Sequence, residues 1–88
     1  MSRVETIEAR LNSALSPESM DIIDDSHKHA GHAGAKSGGG HFDLTIVSEQ
    51  FTGLNTVMRH RLIYDALGEM MQTDIHALSI KAYSPEEI

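Results

Sequence analysis

Apolar residues recur along the chain in two rhythms, one typical of helices and one typical of strands. The helical rhythm is clear over residues 3–15, where apolar side chains are spaced three or four positions apart, at Val4, Ile7, Leu11 and Leu15. Ser2 and Glu5 form the S-x-x-E pattern of a capping box at its start, and Ser16-Pro17 ends it. The pattern predicts an amphipathic helix near the N-terminus.

Three short segments alternate apolar and polar residues, as half-buried strands do. They run from Met20 to Asp24, from His41 to Ser48 and from His76 to Tyr83. In the third segment the alternation predicts that His76 shares one face with Leu78 and Ile80. That face would then hold a polar ring among apolar side chains, which is costly unless the ring has a partner.

A second helical pattern lies between the last two of these strands. Asn55 is a suitable N-cap, and apolar residues continue at helical spacing to about Gln72. Gly68 weakens this helix and is a position at which it can split. The predicted element order is therefore α-β-β-α-β.

That order predicts an α+β fold in one domain covering residues 1–88. The first two strands follow each other and should form an antiparallel hairpin with a long loop. A helical crossover joins the second and third strands, and such connections place strands parallel with a right-handed crossing. We therefore expect a three-stranded mixed sheet with the helices packed on one face.

The segment that joins the first two strands is rich in glycine and histidine. Residues 26–40 contain five glycines and no apolar periodicity, which predicts an exposed, flexible loop. Four of the six histidines, His27, His29, His32 and His41, lie in or directly after this segment, and their spacings can chelate zinc, nickel or copper ions, because neutral imidazole suits these metals. A glycine-rich loop also accepts histidine without any metal-binding purpose, so both interpretations stay open.

Composition narrows the class of protein further. The formal net charge is −6 and only seven residues are Lys or Arg, which disfavours tight binding to nucleic acid. Without cysteine, the chain alone offers no disulfide, thiolate nucleophile or thiolate ligand. No signal-peptide core, membrane-length apolar run or catalytic signature stands out. These observations predict a soluble, cytoplasmic, monomeric protein that has no membrane association and is not an enzyme.

Two groups of polar residues remain as candidates for function. Arg59 and Arg61 flank His60 on the middle helix and point about 200° apart, so they cannot clamp one anion together. This helix face is compatible with a partner contact, with a phosphate-backbone contact and with a solvated charge pair. His76 is compatible with a structural histidine bonded to a carbonyl and with a metal ligand.

Several motifs, taken together and in this order, resemble the BolA family in its histidine-loop variety. They are His41-Phe42, the turn from Val47-Ser48 to Phe51-Thr52-Gly53, Arg59-His60-Arg61-Leu62-Ile63-Tyr64, and His76-Ala77-Leu78. The likeness covers nearly the whole chain. It implies a fold related to the class II KH topology, in agreement with the element order read from periodicity.

The resemblance also implies partners and a cofactor. BolA proteins bind monothiol glutaredoxins and share a [2Fe-2S] cluster with them, so the isolated chain would hold no cofactor tightly. His76 matches the family ligand that opens the last strand. The second ligand comes from the loop, where His29 aligns best and His27 and His32 remain alternatives. Thiolates of glutaredoxin and glutathione would complete the iron coordination.

Two cellular roles follow from this resemblance. The first is that of an adaptor in iron–sulfur cluster trafficking or iron sensing, and hence in iron homeostasis. The second is transcription regulation, because some family members bind DNA through the region of the middle helix. Arg59, His60 and Arg61 would then be the natural contacts.

Overall fold

The computed structural model describes residues 2–25 and 40–88 of the chain. Within these ranges the elements are α1 (Arg3–Leu15), β1 (Ser19–Asp24), β2 (Gly40–Val47), α2 (Thr56–Leu67) and β3 (Ile75–Tyr83), with short 3-10 turns at Glu49–Phe51, Gly68–Met71 and Pro85–Glu87. The predicted α-β-β-α-β order is confirmed. The predicted loop 26–40 lies outside the described residues except for Gly40, which is buried and begins β2.

Helix α1 begins and ends where the sequence pattern predicts. The Ser2 hydroxyl accepts a hydrogen bond from the Glu5 backbone N–H, and the Glu5 carboxylate accepts one from the Ser2 N–H, each at 3.1 Å. At the other end Ser16 adopts a left-handed conformation with φ 45°, and its N–H donates to the Asn12 carbonyl. Ile7, Leu11 and Leu15 are the buried residues of the helix.

The three strands form one sheet in the order β1-β2-β3. β1 pairs antiparallel with β2, from Ser19 opposite Val47 to Asp24 opposite Phe42. β2 pairs parallel with β3. The prediction of an α+β fold with a mixed sheet is therefore confirmed.

One face of the sheet carries the core. Phe42, Leu44 and Ile46 of β2 are buried on that face, whereas Asp43 and Thr45 between them are exposed. Both helices pack against this layer: α1 contacts β1 and α2, and α2 contacts β3. The core comprises Ile7, Leu11, Leu15, Phe42, Leu44, Ile46, Phe51, Ile63, Leu67, Met70 and Ile75. The opposite face of the central strand presents the exposed side chains of Asp43 and Thr45.

Helix α2 is shorter than the apolar pattern predicts. It begins after Asn55, whose side chain accepts a hydrogen bond from the Met58 N–H at 2.9 Å, and it ends at Leu67 rather than near Gln72. Gly68 has φ 55° and ψ −128°, a conformation that no residue with a side chain adopts without strain. The chain therefore leaves the helix there and continues as a 3-10 turn.

The described part of the chain contains no helix with the length and apolar character that a membrane crossing requires.

Candidate metal-binding site

An irregularity in the pairing of β2 with β3 determines where His76 points. Gly40 lies opposite Ile75, but the next residue, His41, lies opposite Ala77. His76 is therefore the extra residue of a β-bulge, a feature that re-aims side chains and bends a strand.

The bulge overturns the predicted face of His76. Ile75 is buried and Leu78 is half-buried on the core side, while His76 and Ala77 between them are both exposed. An extra residue between two inward positions shifts the alternation by one, so His76 leaves the face of Leu78 and Ile80. Its imidazole is thus accessible to a ligand or partner.

The same bulge brings His76 beside a second imidazole. The ring centroids of His41 and His76 lie 5.0 Å apart, with the ring planes inclined by 42°. His41 is half-buried on the central strand, and its Nε2 atom is buried. Sequence reasoning counted His41 among the histidines around the loop but did not pair it with His76, because that pairing depends on the strand register.

The two rings lie near the first residues of β2 and β3, next to Asp25 and Gly40, which flank the glycine- and histidine-rich segment. The Asp25 N–H donates to the His41 carbonyl at 2.8 Å, and the Gly40 N–H donates to the Asp74 carbonyl at 2.9 Å. Asp25 and Gly40, the described residues on either side of 26–39, therefore both lie next to the histidine pair. The predicted ligands His29, His27 and His32 themselves lie outside the described residues.

Two imidazoles with centroids 5.0 Å apart offer nitrogen ligands of the kind that zinc, copper and iron accept. In the described ranges no group of three or more His, Cys, Asp or Glu side chains could hold a metal ion. A metal at His41 and His76 would thus need further ligands from solvent, from a partner or from the remaining part of the chain.

The arginines and the histidine of α2 have three different environments. Arg59 is only 11% exposed: its Nε donates to the Leu54 carbonyl at 2.8 Å, and its Nη1 donates to the Ala82 carbonyl at 3.0 Å and to the Glu87 carboxylate. Arg61 is exposed. His60 is half-buried, with its ring edge-on to Tyr64 at 6.3 Å. Arg59 therefore ties α2 to the C-terminal turn, and Arg61 is the exposed arginine of the predicted contact set.

The C-terminal turn is held by a carboxylate that collects several donors. Glu87 accepts hydrogen bonds from the Ser84 N–H at 2.7 Å, from the Ser84 hydroxyl at 3.0 Å and from Arg59. The pKa of Glu87 lies below its usual value, chiefly because of the Ser84 N–H and next because of Arg59. The turn is therefore fastened by a contact that depends on the charge of Glu87.

Comparison with known proteins identifies the family. A family model described as BolA-like protein matches residues 11–87. This chain belongs to the BolA-like family. SufE-like protein 1 and protein BOLA1, both from Arabidopsis thaliana, are 42% and 43% identical to it over 99% and 98% of the chain. The chain spans only 25% and 56% of the length of these two relatives.

A bacterial relative has a different printed description. The DNA-binding transcriptional regulator BolA of Escherichia coli is 39% identical over 94% of this chain and 76% of that protein. BolA-like protein 1 of mouse is 40% identical over 92% of this chain and 57% of its own length.

Solved structures agree with the fold of this BolA-like chain. The BolA domain of SufE1 from Arabidopsis thaliana superposes with a TM-score of 0.86 at 42% identity, covering 100% of this chain and 98% of that one. BolA1 from the same plant gives a TM-score of 0.84 at 38% identity, again covering 100% and 98%. The sheet, both helices and their order are thus those of BolA domains.

Proposed function

We propose that this BolA-like chain is a non-enzymatic adaptor that binds a monothiol glutaredoxin and shares a [2Fe-2S] cluster with it. Its cellular role is cluster trafficking or iron sensing, in the cytoplasm. The observation that carries the proposal is the β-bulge that presents His76 on the open side of the sheet, in a family member without cysteine.

The chain would contribute imidazole nitrogen and no thiolate to the iron atoms. His76 is the first ligand, and His29 is the second by family alignment, with His27 and His32 as alternatives. The cysteine of the glutaredoxin and that of glutathione complete the coordination. Imidazole in place of thiolate removes negative charge and raises the reduction potential of such clusters. An exposed, incomplete site suits transfer or sensing better than buried electron transport.

Reconstitution tests this proposal directly. The chain is mixed with a monothiol glutaredoxin, iron, sulfide and glutathione, and visible circular dichroism is recorded for the wild type, for His76→Ala and for the matched control His60→Ala. We expect a heterodimer whose spectrum differs from that of the glutaredoxin homodimer, and we expect His76→Ala alone to lose this difference. If no cluster-bearing heterodimer forms, or if His76→Ala leaves the spectrum unchanged, the assignment is wrong.

A second candidate function is DNA binding with transcription regulation, because the Escherichia coli relative is described as a DNA-binding regulator. The formal charge of −6 argues against high affinity, and Arg59 is engaged within the fold, so Arg61 and His60 are the remaining contacts on α2. Duplex binding is measured across a salt series for the wild type and Arg61→Glu. Salt-sensitive, sequence-specific binding that Arg61→Glu weakens would support this function, whereas weak and sequence-indifferent association would exclude it.

A further inference from the structure

We propose that His41 and His76 bind one divalent transition-metal ion of the zinc or copper class on the isolated chain, without glutaredoxin. The proposal concerns a mononuclear site built only from two strands of the sheet. Binding of this ion requires neither the shared cluster nor the histidines between residues 26 and 39.

The distance between the two rings suits a shared metal ion. A metal–nitrogen bond of about 2.0–2.1 Å places each imidazole ring centre about 3.2 Å from the ion, and a tetrahedral angle then separates the two centres by about 5.2 Å. The observed separation between the His41 and His76 centroids is 5.0 Å. The observed centroid separation is therefore close to that of two imidazoles bound to a single tetrahedral ion.

Strand pairing holds both histidines in fixed positions. His41 lies on the central strand, which is paired on both sides, and His76 lies in a bulge fixed between the buried Ile75 and the register of Ala77. Sites carried by strands are more precisely positioned than sites carried by loops. Folding has therefore already brought the two imidazoles together, so metal binding requires little further loss of conformational entropy.

The chemistry of the two rings and the charge of the chain suit the same class of ion. Neutral imidazole is a preferred ligand of zinc and copper(II), and two protein ligands leave positions open for water. The chain as a whole is acidic, with a formal net charge of −6. The resulting negative potential raises the local concentration of cations.

The site has a consequence that rests on the proposed function. If His76 is a ligand of the shared cluster, a zinc or copper ion at His41 and His76 occupies that ligand. The bound ion and the cluster then exclude one another. Excess zinc would suppress formation of the cluster-bearing heterodimer in the wild type.

The test uses the full chain with His27, His29 and His32 replaced by asparagine. His41, His76 and His60 are then the only histidines left. Copper(II) is titrated, and the electron paramagnetic resonance spectrum is recorded. We expect one ion per chain with hyperfine splitting from two nitrogens. His41→Asn or His76→Asn in this background should lower the affinity at least about tenfold, since even residues that merely orient a ligand change it about 10–100-fold.

Two controls keep a folding defect apart from the loss of a ligand. His60→Asn, on α2, should leave copper binding unchanged, and far-ultraviolet circular dichroism should show each variant folded. His76→Cys supplies a different ligand atom at the same position and should retain zinc binding, measured by calorimetry. The proposal would be overturned if the chain with asparagine at positions 27, 29 and 32 failed to bind copper. It would also be overturned if adding His41→Asn to that chain left its copper affinity unchanged. Neither result depends on glutaredoxin, so the proposed function is judged separately.

Discussion

Replacement of Arg59 should destabilise the fold far more than replacement of Arg61, although both belong to one short motif. The Arg59 guanidinium donates to the Leu54 carbonyl before α2 and to the Ala82 carbonyl near the end of β3. It also reaches Glu87 in the C-terminal turn. Arg61 is exposed on the same helix and is the matched control.

The expected loss follows from the two carbonyl contacts. A hydrogen bond from a charged donor contributes about 1.5–3 kcal/mol, and the lower value applies to these part-buried groups, so Arg59→Ala should cost about 3 kcal/mol. For a domain of this size that corresponds to a fall in Tm of about 12–24 °C. Arg59→Lys keeps the charge but has a single nitrogen, which cannot reach both carbonyl oxygens, so its loss should be intermediate.

Urea unfolding followed by far-ultraviolet circular dichroism measures these differences. Arg61→Ala should change the free energy of unfolding by no more than about 0.5 kcal/mol, as exposed substitutions usually do. If the free energies of unfolding of Arg59→Ala and Arg61→Ala differ by no more than about 0.5 kcal/mol, the Arg59 hydrogen bonds do not stabilise the fold. A large loss would also mean that weaker DNA binding by Arg59 variants reports unfolding, and that Arg61 is the proper probe of a nucleic-acid contact.

Three further substitutions have defined outcomes. Glu87→Gln should destabilise the protein at neutral pH, because the pKa of Glu87 in the folded state lies below the usual 4.5. The difference in urea midpoint between this variant and the wild type should persist above pH 4.5 and disappear as the pH falls below it. Ser48→Ala should cost about 1–3 kcal/mol in urea unfolding, since the buried hydroxyl donates to the Leu15 carbonyl at 2.7 Å. Gly68→Ala should cost about 1–3 kcal/mol in thermal unfolding through backbone strain at φ 55°.

Each of these has an outcome that would contradict it. If the difference in urea midpoint between Glu87→Gln and the wild type stays constant down to pH 3, the charge of Glu87 does not contribute to stability. Ser13→Ala, at an exposed position of α1, is the control for Ser48→Ala, and equal losses would remove the role of the buried bond. Glu69→Ala, at the exposed neighbour of Gly68, should be nearly neutral; a neutral Gly68→Ala would show that the turn relaxes without strain.

Much of the fold could be predicted because its signals are local. The capping box at Ser2 and Glu5 and the apolar spacing to Leu15 fixed α1 at the bounds that the structure has. The alternation through Phe42, Leu44 and Ile46 gave the buried face of β2 correctly. The length of α2 was predicted less well, because a stripe of apolar residues continues past Gly68 into the 3-10 turn, where Met70 is still buried. Apolar spacing reports burial, and burial does not require one continuous helix.

The site was predicted only in part because it depends on how two strands pair. His76 was identified as a candidate but placed on the wrong face, and His41 was counted with the loop histidines without being paired with His76. A signal was present: Ile75 and Leu78 are three residues apart, and a strand with a period of two cannot turn both toward the core without one extra residue between them. Starting the strand at His76 instead of Ile75 concealed that spacing. Inclusion of Ile75 would have predicted the bulge, although not its register against His41.

The bulge therefore links the stability of the core to the chemistry of the surface. Burial of Ile75 and Leu78 on one side forces His76 outward, and the parallel register of β3 with β2 sets His41 next to it. Neither histidine needs a local sequence signature for this arrangement, because apolar residues and strand pairing determine it. If His76 binds the shared cluster as proposed, a partner can complete and release that site while the buried Ile75 and Leu78 side of β3 keeps the domain folded.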